Sequence, residues 1–107
     1  MKNDFGGHDN HHYDNVDAYV GQALGVCETL PKHEDSFYGN YVVMTGDEVG
    51  TCLKNMYRNR YFTPSGNISG SCESQFGALT VAKLPTDEEI LREAMKKLGM
   101  EEQLLMV

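Results

Sequence analysis

The strongest constraint on the fold is a helix with clear signals at both ends, in the segment "PTDEEILREAMKKLGM" (85–100). Thr86 and Glu89 have the spacing of a capping box, in which each side chain binds a free backbone N–H of the first turn. Three acidic residues follow at the positive end of the helix dipole, two lysines lie near its negative end, and Gly99 can end the helix. The segment therefore predicts a helix with one apolar face, made of Ile90, Leu91, Ala94 and Leu98.

Two further segments space their apolar residues as helices do. The first predicts a helix at about 15–29 that ends before Pro31, and its apolar residues follow the i, i+3, i+4 rhythm. The second begins at another possible capping box, Thr45 with Glu48, and predicts a helix to about Asn59. The first apolar face contains Val16, Tyr19, Val20, Ala23, Leu24 and Cys27, and the second contains Val49, Cys52, Leu53 and Met56.

Between these helices the sequence has the β-branched and aromatic residues that favour strands. We expect a single α+β domain over residues 14–107, with about three helices packed on a mainly antiparallel sheet of three to four strands. No internal repeat is evident in this order of elements. The strand segments are 38–44, 60–63, 67–71 and 76–84, with a turn at 64–67 and with the last strand in a central position because both its faces are apolar.

The N-terminal segment 1–13 is polar and holds three of the four histidines, in "GGHDNHHYDN". Neutral imidazole is a common ligand of zinc, nickel and copper, and one turn of helix would bring two of these rings together. A structural zinc site needs about four ligands, so a distant residue must complete it. The predicted site is His8, His11, His12 and Cys72, with His33 or an aspartate as alternative donors. The other reading is a solvated, disordered polar tail.

The sequence gives no motif for catalysis. The three cysteines are an odd number and form no Cys-x-x-Cys pair, while Cys27 and Cys52 lie on predicted apolar helix faces. The glycines lack the pattern of a phosphate-binding loop. A zinc hydrolase would need an open coordination position and a general base, and no motif supplies either. We therefore predict a protein that is not an enzyme.

The charge is acidic and unevenly distributed, with a net value of −7. Residues 1–50 carry two lysines and nine carboxylates, a balance of −7, whereas residues 51–107 carry seven charges of each sign. Such a surface repels nucleic acid and attracts basic proteins, although acidity also simply keeps a small protein soluble. No apolar run approaches the roughly 20 residues that span a bilayer, and no secretory signal is evident. The expected location is the cytoplasm, of a host cell if the gene is carried by a phage.

The run "LTVAKLPTDEEILREAMKKLGM" (79–100) resembles the strand, Leu-Pro and capped-helix unit of ArdA-like antirestriction proteins of mobile elements. In size, acidity and lack of a catalytic motif the whole chain also resembles phage-encoded inhibitors of bacterial defence, including anti-CRISPR proteins. The resemblance implies a protein that binds a nucleic-acid-handling nuclease. It assigns a role to no individual residue.

These observations favour a non-enzymatic acidic inhibitor that binds a basic surface of a nucleic-acid-processing defence enzyme, with a CRISPR effector nuclease favoured, and blocks DNA loading. A structural zinc is compatible with this function. The alternative is a small metal-binding regulatory module unrelated to host defence. The predicted partner-binding residues are Asp14, Asp17, Glu28, Glu34, Asp35, Asp47 and Glu48, with Tyr13 and Tyr38 as aromatic anchors.

Overall fold

The computed structural model describes residues 2–3, 8–26, 32–50, 55–69 and 81–99. Within these ranges the chain forms nine short strands followed by one helix. This helix, the one helix among the described residues, is too short and too polar to cross a membrane. The strands are β1 (Lys2–Asn3), β2 (His11–Tyr13), β3 (Val16–Val20), β4 (Gly25–Val26), β5 (Ser36–Tyr38), β6 (Tyr41–Met44), β7 (Asn55–Tyr57), β8 (Arg60–Thr63) and β9 (Val81–Lys83), and the helix is α1 (Asp87–Lys97).

The strands stack in parallel, as in a β-solenoid. The first sheet has the order β2-β5-β7, the second has the order β3-β6-β8-β9, and β1 pairs with β4 in a small third sheet. Every strand pair among the described residues is parallel. Each sheet takes its successive strands from successive passes of the chain, so one pass forms one rung. We refer to residues 8–26 as rung 1, 33–50 as rung 2 and 55–69 as rung 3.

A repeated corner joins the first sheet to the second in each rung. Its sequence is Tyr-x-Asn, which occurs as "YDN" (13–15), "YGN" (38–40) and "YRN" (57–59). The middle residue has a positive φ of 54°, 64° and 57° in turn, a conformation that turns the chain sharply. The three asparagines form a ladder, in which the Nδ2 of Asn15 donates to Oδ1 of Asn40 at 3.0 Å and the Nδ2 of Asn40 donates to Oδ1 of Asn59 at 3.1 Å. The ladder satisfies backbone groups that a tight corner leaves unpaired.

The interior of the solenoid is apolar in rungs 2 and 3. Phe37 and Met56 face inward from the first sheet, and Val42 and Tyr61 face inward from the second. Leu24, Val49 and Ile68 fill the remaining side of the interior. Parallel strands buried on both faces need apolar residues at successive positions, and Tyr41–Met44 is buried throughout.

The helix covers the outer face of the second sheet. Ile90 packs with Tyr41, Val43 and Phe62 in a cluster separate from the interior. The hydroxyl of Tyr19 donates to Asp87 at the start of the helix, and Lys97 donates to the carbonyl of Gly39 at 3.1 Å near its end. The predicted capping box of Thr86 and Glu89 is confirmed, and Gly99 has the positive φ of a helix terminator.

The predicted fold class, three helices on a mainly antiparallel sheet, is wrong. The described residues contain one helix of 11 residues and parallel sheets. The predicted helix at 15–29 is replaced, as far as residue 26, by β3, a corner and β4. The apolar spacing that resembles a helix belongs to an irregular strand. Tyr19 has a φ of 59°, and the register of β3 with β6 shifts between Ala18 and Val20. Val16 and Val20, four residues apart, therefore face opposite sides of the sheet, where each packs against apolar residues.

The predicted helix at 45–59 is also wrong where the structure describes it. The backbone N–H of Thr45 donates to the carbonyl of Val20 at 2.9 Å, and residues 55–57 are a strand. Val49 and Met56 are both in or against the interior, but they reach it from different sides of the solenoid. Residues 51–54 lie outside the described residues.

The predictions at 60–63 and at the 64–67 turn are confirmed, and those at 38–44 and 76–84 are confirmed in part, as β5–β6 and β9. The predicted central position of the last strand is wrong, because β9 lies at the edge of the sheet among the described residues. Of the strand predicted at 67–71, the described residues 67–69 form only an isolated bridge between Ser69 and Glu48.

Candidate functional site

Two imidazoles and a carboxylate meet between rungs 1 and 2. The Nδ1 atoms of His8 and His33 each lie 2.8 Å from the same oxygen, Oδ2 of Asp9. The two rings are 5.4 Å apart and nearly edge to face. The three side chains are about half exposed, and the hydrogen bonds from the histidines lower the pKa of Asp9. We refer to these residues as the His–Asp–His cluster.

The main chain fixes the position of this cluster. The N–H of Asp9 donates to the carbonyl of His33 at 3.0 Å, and the N–H of Ser36 donates to the carbonyl of Asn10 at 2.8 Å. The N–H of Asn10 donates to a carboxylate oxygen of Asp35 at 2.8 Å. These bonds continue the parallel register of β2 with β5, in which paired residues are 25 positions apart, as His8 and His33 are.

The other predicted metal ligands lie elsewhere. His11 and His12 are neighbours on β2, so they face opposite sides of the sheet. His11 faces outward, with its Nδ1 3.5 Å from the hydroxyl of Tyr38, whereas the ring of His12 lies 6.5 Å from Phe37 on the interior side. Cys72 lies outside the described residues. The structure thus brings His8 together with His33 and an aspartate, the alternative donors named from the sequence.

A ladder of three tyrosines lies on the outer face of the first sheet. Tyr13, Tyr38 and Tyr57 occupy paired positions in the three rungs. Their rings are parallel within 5°, with centroids 5.3 and 4.9 Å apart. The end members are 53% and 49% exposed. Because the rings stack on one another, their positions are fixed before any ligand binds, and their edges form a flat aromatic strip.

Charged groups of both signs border this tyrosine ladder. Asp14 is exposed at the corner beside Tyr13, and the guanidinium of Arg58 lies 6.0 Å from the ring centroid of Tyr57. Desolvation raises the pKa of Tyr38, and the neighbouring tyrosines and Asp14 act in the same direction. The Tyr38 phenol therefore remains neutral at physiological pH and can donate a hydrogen bond.

The predicted partner-binding acids are not all on the surface. Asp35 is buried, where it accepts the backbone bond from Asn10. Asp17 is half-buried and its Oδ2 makes no hydrogen bond with any described residue, while burial raises its pKa. Glu28 lies outside the described residues. Of the remaining acids, Asp14 and Glu48 are exposed, and Glu34 and Asp47 are half-buried.

A shallow groove separates the helix from the second sheet, with a volume of about 230 Å³. The guanidinium of Arg60 lies 5.0 Å from the ring centroid of Tyr41 and 3.8 Å from Glu93. The groove is smaller than the roughly 300–1,000 Å³ of typical small-molecule sites. Its central cation is already paired within the protein, so the His–Asp–His cluster and the tyrosine ladder are the stronger candidates.

Comparison with known proteins gives no relative: no protein-family model matches the chain, and no curated protein or solved structure matches it. The assignment of function therefore depends on the geometry of the chain itself.

The sequence itself contains a signal for the tyrosine ladder. Each ladder tyrosine opens a Tyr-x-Asn corner, so the three copies of this motif mark both the turn and the stacked ring. Tyr57 belongs to the site for this reason, although the sequence placed it within a predicted helix.

Proposed function

We propose that the protein is a non-enzymatic inhibitor that binds a basic surface of a nucleic-acid-processing defence enzyme and blocks DNA loading there. The observation that carries the proposal is the exposed, prestacked tyrosine ladder on an acidic part of the chain. A CRISPR effector nuclease is the partner to test first, and the cytoplasm of the host cell is the compartment in which the two proteins would meet.

The tyrosine ladder has the physical properties of a protein-binding surface. Tyrosine is enriched among the residues that dominate binding energy, because a large ring loses little conformational freedom on binding. Stacking lowers the conformational entropy that is lost on binding still further, since the rings of Tyr13, Tyr38 and Tyr57 already hold one another in place.

The charge around the tyrosine ladder favours a basic partner. The described residues of the three rungs, with the residue that joins the first two (8–26, 32–50 and 55–69), contain seven carboxylates, one lysine and two arginines, a net charge that is still acidic. The positively charged nucleic-acid groove of a partner enzyme would be attracted to this part of the molecule. Once this protein occupies the groove, DNA phosphates can no longer bind there. Lys and Arg on the partner can also donate hydrogen bonds to the tyrosine hydroxyls.

Binding to purified CRISPR effector nucleases tests the proposal. We expect binding at low salt that weakens as salt rises, and inhibition of DNA loading in the same concentration range. Replacing Tyr57 with Ala should weaken binding by about tenfold or more, as the loss of an anchoring aromatic side chain does. Tyr19→Ala is the matched control, because Tyr19 is 52% exposed but lies on the second sheet.

Charge reversal separates electrostatic attraction from the aromatic contact. Asp14→Lys and Glu48→Lys should slow association and flatten the salt dependence, while each variant keeps its melting temperature. The proposal fails if no basic nuclease binds at low salt, or if Tyr57→Ala and Tyr19→Ala bind equally well.

A further inference from the structure

The His–Asp–His cluster has the composition of a transition-metal site. Two imidazole nitrogens and a carboxylate oxygen, one from each residue, lie within 4.8 Å of one another. Neutral imidazole and carboxylate both bind Zn²⁺, with metal–ligand distances of about 2.0–2.2 Å. A tetrahedral ion with such distances separates its ligand atoms by about 3.3 Å. The His8 and His33 nitrogens, each 2.8 Å from the Asp9 oxygen, therefore need to move about 0.5 Å away from it. The two nitrogens, which lie within 4.8 Å of each other, also need to come to the same separation of about 3.3 Å.

The backbone supports these positions independently of the side chains. Asp9 and Ser36 donate their N–H groups across the two rungs, to His33 and Asn10. Asp9 has a φ of 54°, which turns the chain at the point where its carboxylate meets both rings. The ligands are thus placed by the same register that pairs β2 with β5.

We propose that His8, Asp9 and His33 bind one divalent transition-metal ion, with zinc as the first candidate, and that water completes its coordination. The ion takes the place of the Nδ1 protons that the imidazoles share with the Asp9 carboxylate, and each neutral imidazole then carries its one proton on Nε2. It cross-links rung 1 to rung 2 through side chains 25 positions apart.

A cross-link at this place has a clear physical effect. Each rung of a solenoid contacts only its neighbours, so a cross-link between two rungs stabilises the interface that they share. Rung 1 also has His12 and Asp17 at positions where rung 2 has the apolar Phe37 and Val42. The metal therefore stabilises the part of the solenoid whose interior is least apolar. This inference is independent of the proposed partner.

Zinc titration of the metal-free full chain by calorimetry, with Co²⁺ as a spectroscopic probe, tests the site. We expect one ion per chain and a tetrahedral or five-coordinate Co²⁺ spectrum. His8→Ala and His33→Ala should each weaken binding by about tenfold or more. His11→Ala is the matched control, because it removes a nearby exposed histidine and leaves the affinity unchanged. Asp9→Asn removes the carboxylate with a residue that tolerates positive φ, and it should also weaken binding.

Two further measurements examine the cross-link itself. Zinc at about 100 times its Kd should raise the melting temperature by on the order of 10 °C in the wild type and in His11→Ala. Hydrogen exchange of the Asp9 and Ser36 amides should slow on addition of zinc. The inference is overturned if the chain takes up no zinc at millimolar concentrations, or if His11→Ala loses affinity while His8→Ala and His33→Ala keep it.

Discussion

At the scale of single residues, the asparagine ladder holds the repeated corner together. Asn40 is buried at its centre: its Oδ1 accepts from the N–H and the Nδ2 of Asn15, at 3.1 and 3.0 Å, and its Nδ2 donates to the carbonyl of His12 at 3.0 Å. A methyl group at this position would leave the donors of Asn15 and the acceptor of His12 without that partner. Such losses in a buried network are among the most costly single substitutions.

We therefore expect Asn40→Ala to lower the free energy of unfolding by about 2–4 kcal/mol in urea denaturation. Asn55→Ala is the control, since Asn55 is exposed on β7 and does not belong to the ladder; it should change stability by less than about 0.5 kcal/mol. Equal effects of the two substitutions would show that the ladder contributes no special stability.

The residue scale also shows what the sequence could have revealed. Three Tyr-x-Asn corners are visible in the sequence, but their middle residues are Asp14, Gly39 and Arg58, of which only Gly39 is a usual marker of positive φ. The two intervals between corners are 25 and 19 residues, as the strand register shows. A repeat of such uneven length is hidden from any search for a fixed period.

At the scale of elements, α1 was predictable because its signals are local. The capping box, the acidic first turn and the terminal glycine all lie within 14 residues, 86–99. The strands are three to five residues long in the first two sheets, too short for a reliable alternation pattern. Each strand is defined by its pairing with another strand about 20 residues away along the chain. The residues of the strand itself do not reveal which segment that partner is.

The packing of α1 can be tested at two adjacent residues that the sequence placed on one apolar face. Ile90 is 8% exposed against the second sheet, whereas the adjacent Leu91 is 51% exposed. We expect Ile90→Ala to lower the free energy of unfolding by about 2–4 kcal/mol, because it removes buried methyl groups and leaves a cavity. Leu91→Ala should cost less than about 1 kcal/mol by the same thermal or urea measurement. Similar losses for both would mean that the helix does not pack on the sheet through Ile90.

At the scale of the whole molecule, parallel stacking decides which distant residues meet. The sequence indicated that His8 needed a partner from far along the chain and named His33 and an aspartate among the candidates. Only the register of β2 with β5 shows that His33 is the residue directly beside it. It also puts His11 and His12 on opposite faces of β2, whereas the helical turn considered from the sequence would have paired His8 with one of them.

The stacking also explains an unusual carboxylate in rung 1. The second sheet directs a column of side chains inward, namely Asp17, Val42, Tyr61 and Val81 in successive rungs. Asp17 is the polar member, and its desolvation raises its pKa, although the nearby His12 acts in the opposite direction. A raised pKa in the folded state means that the folded chain holds the proton more tightly than the unfolded chain does. Ionisation of Asp17 at neutral pH therefore lowers the stability of the fold.

We expect Asp17→Asn to raise the free energy of unfolding at pH 7 by about 1 kcal/mol, the lower end of the cost of an unpaired buried polar group, because Asp17 is only half-buried. The gain in the free energy of unfolding should be complete above the raised pKa of Asp17 in the folded state. It should vanish as the pH falls from that pKa toward the ordinary pKa of aspartate, since the wild-type carboxyl is then neutral like the amide. Urea denaturation between pH 3 and pH 7 measures this difference, with Asp14→Asn, at an exposed carboxylate of the same rung, as the matched control. A gain that did not change with pH would point to packing of the amide, and a loss at pH 7 would show that the Asp17 charge stabilises rung 1.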